Sequence, residues 1–141
     1  MHTGIAIVMP AKFPGSEEES HCTVAFLGNT DTAPFSRRQV ESVVTDLRSS
    51  FGNMRRKFSV LGDELFGVEK NKSVLILEPF WLSHFRQVAD TLLDQQGGIR
   101  PSTDWAYRPH VTLPEGYYQD YEMPWYVTLQ RPILWWGNDR G

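Results

Sequence analysis

Two of the four histidines stand in the same local setting. His21-Cys22-Thr23-Val24 and His110-Val111-Thr112-Leu113 both read histidine, apolar, threonine, apolar. His2 and His84 do not: Gly4 and Arg86 lie two places after them. One copy of the unit falls in each half of the chain. Imidazole is the side chain best suited to exchange protons near neutral pH, so two of them can serve as base and acid in one reaction. A threonine hydroxyl donates a hydrogen bond to an oxyanion without adding charge. Cleavage of a phosphodiester asks for this set: a proton taken from the attacking oxygen, a proton given to the leaving oxygen, and donors for the phosphoryl oxygens.

Such residues need strands to present them. Along a strand, residues i and i+2 point to one face. His21 and Thr23 are therefore expected on one face and Cys22, Val24 and Phe26 on the other. Likewise His110 and Thr112 share a face, while Val111 and Leu113 turn into the core. If the two strands are neighbours, two imidazoles and two hydroxyls converge. The rest of the chain predicts the frame around them. Strands are expected over 4–9 (stopped by Pro10), 21–27, 57–61, 73–77, 109–114, 125–130 and 133–136, with 62–71 a loop or hairpin. A helix is predicted over 36–51, because Val40, Val43, Val44, Leu47 and Phe51 share one helical stripe. Ser36 with Gln39 makes a capping box, and Gly52 a stop. A second helix over 82–96 carries Leu82, Phe85, Val88, Ala89, Leu92 and Leu93 on one stripe and ends at Gly97-Gly98. The order predicts an α+β fold: one domain of two lobes, about 1–62 and 63–141, with strands exchangeable between them.

The stretches His21-Cys22-Thr23-Val24-Ala25-Phe26-Leu27-Gly28 and Arg108-Pro109-His110-Val111-Thr112-Leu113 closely resemble the two signature strands of the 2H phosphoesterases. That group includes LigT-like RNA ligases, cyclic phosphodiesterases and compact phage-encoded members. The resemblance implies two pseudo-symmetric lobes of antiparallel strands, with helices outside and a cleft between. It implies chemistry on 2′,3′-cyclic, 2′,5′-linked or cyclic oligonucleotide phosphodiesters, with no metal and no cofactor. His21 and His110 are then the catalytic pair, and Thr23 and Thr112 hold the phosphoryl oxygens. The short chain is most like the phage members, some of which degrade cyclic oligonucleotide immune signals.

Other residues are candidates for holding substrate. Tyr107 and Trp105 precede the second motif and could stack on a base. Arg108 could meet a phosphate. Phe13 lies before the first motif, and Trp136, near the end, could floor a base site beside Trp135. Composition narrows the partners. The 141 residues carry 14 Lys+Arg against 17 Asp+Glu, a net charge of −3. With no basic block beyond Arg37-Arg38 and Arg55-Arg56-Lys57, salt-driven binding of long duplex nucleic acid is not expected. A nucleotide or short oligonucleotide is the expected substrate. No apolar run approaches ~20 residues, so no membrane span is predicted. The N-terminal apolar run is too short for a secretion leader. A single cysteine, Cys22, excludes an internal disulfide framework and points to a reducing, cytoplasmic setting. Two rival readings share these residues: a nucleotide-binding sponge or sensor without turnover, and a 2′,5′ RNA ligase. A third makes the aromatics a protein-binding surface. The oligomeric state is left open.

Overall fold

A computed structural model describes residues 2–52, 55–102 and 106–141. The element order is β1 (Gly4–Lys12), β2 (His21–Asn29), α1 (Arg37–Phe51), β3 (Arg56–Phe66), β4 (Lys72–Leu77), α2 (Pro79–Gln95), β5 (His110–Thr112), a 3-10 turn (Tyr117–Gln119), β6 (Tyr126–Leu129) and β7 (Ile133–Trp136). Both helices lie where their apolar stripes place them. The Ser36 hydroxyl accepts from the Gln39 backbone N–H, and the Gln39 side chain accepts from the Ser36 N–H, closing the capping box. Such a cap is worth ~1 kcal/mol. Helix α1 buries Val40, Val43, Val44, Leu47 and Phe51. Helix α2 begins three residues earlier than its stripe implies, because Pro79 suits the first helical turn, where no N–H is needed.

The seven strands form one antiparallel sheet in the order β2-β5-β4-β3-β6-β1-β7, and β1 also pairs with β2. Six strands thus make a closed circuit, from which β7 branches along β1. Strand β1 runs through Pro10 to Lys12 rather than stopping before it. The reason is local. One edge of β1 pairs with β7 from Ile5 to Val8 and with β6 at Ala11 and Lys12. Pro10 falls at the handover between these partners, where its missing N–H breaks no recorded pair, and its carbonyl still accepts from Gln130. Strand β3 is likewise longer than expected, because 62–71 is a true hairpin: Gly62 to Phe66 pair with Ile76 to Lys72.

The registers decide which face each motif residue takes. Cys22 pairs with Val111, and Val111 with Leu75; all three side chains are fully buried. This row is the floor under the two motifs. On the other side of β2, Thr23 pairs with Val8 but Ala25 pairs with Ile7, so Val24 is an extra residue, a β-bulge. Leu27 is a second one, between Phe26 (opposite Ala6) and Gly28 (opposite Ile5). A bulge shifts the alternation by one. Phe26 therefore leaves the Cys22 face, where simple alternation puts it, and joins Thr23; it is 39% exposed, against 1% for Val24.

Candidate active site

Because Cys22 faces Val111 across an antiparallel ladder, His21 falls beside Thr112 and Thr23 beside His110. The four side chains share the face opposite the buried row. Their backbone positions mark a rectangle of about 5 by 7 Å, set by strand spacing and the two-residue repeat. Each imidazole thus has one hydroxyl along its own strand and another across the seam. The β2–β5 pairing is recorded at this single register position. A cavity opens on either side of it.

The two histidines are held alike. His21 Nδ1–H donates to the Glu19 carbonyl at 2.7 Å, and His110 Nδ1–H to the Arg108 carbonyl at 2.8 Å. A carbonyl only accepts, so each Nδ1 carries a proton and each Nε2 is left for chemistry. Each ring also rests on an aromatic side chain: His21 on Trp135 at 4.3 Å between centroids, His110 on Phe66 at 4.7 Å. Each aromatic in turn carries an arginine, Arg140 at 4.1 Å from the Trp135 ring and Arg108 at 5.8 Å from that of Phe66. The stacks differ in charge balance. Arg108 grips Glu64 with both terminal nitrogens, whereas Arg140 meets Glu19 only through Nε at 3.5 Å. Burial lowers the His21 pKa, the Glu19 carbonyl bond opposes this, and the charges of His110 and Arg140 lower it further.

Two half-buried side chains hold the backbone of β2. The Tyr107 hydroxyl donates to the Thr23 carbonyl at 2.7 Å, and Arg86 Nη1 to the Val24 carbonyl at 3.1 Å. Burial pushes the Cys22 thiol up to about 11 and raises Tyr107 well above the usual phenol range, so neither ionises near neutrality.

The substrate-binding candidates divide. Tyr107 and Arg108 line the cleft, but Tyr107 has the Arg86 guanidinium over its ring at 5.0 Å, and Arg108 is committed to Glu64. Phe13 is not at the cleft: it is 8% exposed, within the core, with its ring edge on Tyr117. Trp136 also points away. It pairs with Ile5 and packs on Phe35, while the adjacent Trp135 pairs with Ala6, on the face of Phe26, and reaches His21. Trp105 lies outside the described residues. Sequence reasoning missed Phe66, Glu64, Arg86 and Arg140; lone residues in unrelated segments, they carry no spacing signal.

Two cavities meet at the rectangle. One of about 490 Å³ is lined by Thr23, His110, Phe26, Phe66, Tyr107 and the two arginines 86 and 108. The other, about 450 Å³, lies against His21 and Thr112 and is rimmed by Glu17, Glu18, Glu19 and Glu115. The cleft is thus aromatic at one end, beside two arginines already paired with Asp90 and Glu64, and lined by carboxylates at the other. Among the described residues no helix is long and apolar enough to cross a membrane.

No protein-family model matches the chain, and no curated protein matches it. Its fold is similar to that of E. coli LigT complexed with 3′-AMP (TM-score 0.56, 12% identity), a likeness covering 97% of this chain and 98% of that one. It is also similar to a crystal structure of a phosphoesterase (TM-score 0.54, 12% identity), covering 97% and 96%. At such identity the likeness is one of fold. The two helices and seven antiparallel strands among the described residues are the α+β arrangement of LigT.

Proposed function

We propose that this chain, built on the LigT fold, is a nucleotide phosphodiesterase that works through its two His-x-Thr strands. The observation that carries the reading is the cross-strand rectangle, in which each imidazole has a hydroxyl on its own strand and another on the partner strand. A tetrahedral phosphate centred there has two donors for its non-bridging oxygens and an Nε2 on either side, the geometry of in-line displacement with general base and general acid catalysis.

The environments divide the roles. His21 is desolvated and has a poorly compensated arginine nearby, which favours neutral imidazole, the form a base needs. In cleavage His21 then takes the proton of the attacking hydroxyl or water at Nε2, and His110 Nε2 gives a proton to the leaving oxygen. Thr23 and Thr112 donate to the phosphoryl oxygens as their charge grows. A ligation would run the same steps backwards, with the roles exchanged. The carboxylates around the His21 end repel further phosphates, which favours a 2′,3′-cyclic, 2′,5′-linked or small cyclic substrate over long RNA.

The sign of the pH dependence follows. With its pKa below the ordinary histidine value, His21 stays neutral further into acid, so the acidic limb of kcat/KM lies below that value. Removing the Arg140 charge raises the His21 pKa. Arg140→Met is therefore expected to move that limb upward, while Arg140→Lys leaves it nearly in place. A limb unmoved by Arg140→Met would remove Arg140 from the account of His21.

The function itself is tested by incubating the protein in EDTA with 2′,3′-cyclic nucleotides, 2′,5′-linked dinucleotides and cyclic oligonucleotides, and reading products by mass. Cleavage of at least one class is expected. Tight binding with every ligand recovered intact would instead identify a sponge or sensor.

A further inference from the structure

The two histidine stacks share a plan, and their difference in charge traces to one residue of the β3–β4 hairpin. Strands β3 and β5 both lie antiparallel to β4, so they run parallel to each other. Val74 pairs with Glu64 on one edge and with Thr112 on the other, which brings this stretch of β3 level with the second motif. Two β3 residues spaced i, i+2 therefore meet two motif residues in the same order: Glu64 meets Arg108, and Phe66 meets His110. Arg108 closes the set. Its carbonyl accepts from His110 Nδ1–H at 2.8 Å, and its guanidinium lies 5.8 Å from the Phe66 ring.

Arg108 thus brings a full positive charge close to an imidazole that must hold a proton. Glu64 accepts from both terminal nitrogens and offsets that charge. Arg140 has no such grip at the other stack, where Glu19 meets it only through Nε at 3.5 Å. No other described group around His110 can stand in for Glu64. From β2 come His21 and the buried Cys22 thiol, from α2 Arg86, already paired with Asp90, and from the approach to β5 Tyr107. None of these is an anion near neutrality.

We propose that Glu64 is the positioning residue that makes His110 the proton donor of the pair: acting through Arg108, it lets this imidazole keep a proton beside an arginine. The assignment rests on the phosphodiesterase reading for what the proton does. A nearby like charge disfavours imidazolium, and a counter-ion removes most of that field. Both partners of the pair are partly exposed, so solvent and salt make the effect moderate.

The variants are Glu64→Gln, which keeps the shape and removes the charge, Glu64→Asp, and Glu64→Gln combined with Arg108→Met, with thermal melting as a fold control. The first readout needs no substrate: 15N NMR of the histidine rings at about pH 6.5, near the ordinary imidazole midpoint. The imidazolium fraction of His110 is expected to fall in Glu64→Gln, to be largely kept in Glu64→Asp, and to return in the double variant. No fall, an equal fall at His21, or a fall that the double variant fails to reverse overturns the proposal. The second readout is turnover in neutral buffer. Glu64→Gln is expected to lose about three- to tenfold in kcat on a substrate with a ribose oxygen as leaving group, and little on one that expels p-nitrophenolate and needs no acid. Equal loss on both overturns the link to proton donation. A His110 response of the expected pattern in a protein that cleaves no phosphodiester would sink the enzyme and leave the charge pairing standing. Cleavage with His110 indifferent to Glu64 would do the reverse.

Discussion

His21→Ala and His110→Ala each lower kcat/KM by about 10²–10⁴-fold, the usual worth of a positioned acid or base. The double variant falls little further, because groups acting in one transition state are not additive. Neither loss comes from unfolding: His21 is half-buried and His110 lies on the cleft wall, while the core beneath them is the Cys22–Val111–Leu75 row. The melting temperature should move little. The two variants are separable by leaving group. If His110 donates the proton, a substrate that expels p-nitrophenolate needs no acid, and His110→Ala should recover most of its rate on it. His21→Ala should not. Recovery in the opposite variant reverses the two roles; full activity of both folded variants removes the mechanism.

Much of the site was legible because its elements have fixed periods. A strand alternates strictly, so the repeat of histidine and threonine two places apart already put both on one face. The helical stripes of Val40, Val43, Val44, Leu47 and Phe51, and of Leu82, Phe85, Val88, Ala89, Leu92 and Leu93, stood out for the same reason; all are buried except Val88 and Leu92, which are half-buried against the core. What the sequence hid depends on partners. The bulge at Val24 exists only in the pairing with β1, so Phe26 looked like core and lines the cleft. Choosing between Trp135 and Trp136 requires the β7 register, which sets Trp135 opposite Ala6. The Arg140–Trp135–His21 and Arg108–Phe66–His110 stacks each join distant segments. A local pattern can announce a reactive side chain; its electrostatic surroundings come from the long-range pairings.

The threonines give the second large effect and the more demanding check. Thr23→Val and Thr112→Val conserve shape and remove only the hydroxyl, so loss of rate reports the donor and not packing. A donor aimed at developing charge is worth about 10²–10³ in kcat. The two positions should not be equal. Thr23 is half-buried, and its carbonyl is anchored by Tyr107, so its hydroxyl is held before substrate arrives. Thr112 is exposed, on a three-residue strand beside the carboxylate rim, where water competes for the same oxygens. Thr23→Val is therefore expected to cost more than Thr112→Val, and each threonine-to-serine variant to keep most of the activity. The effect should fall on kcat, because phosphoryl charge grows on the way to the transition state. Loss confined to KM in both variants would mean that the hydroxyls hold substrate and transition state equally, and would leave catalysis to the imidazoles alone.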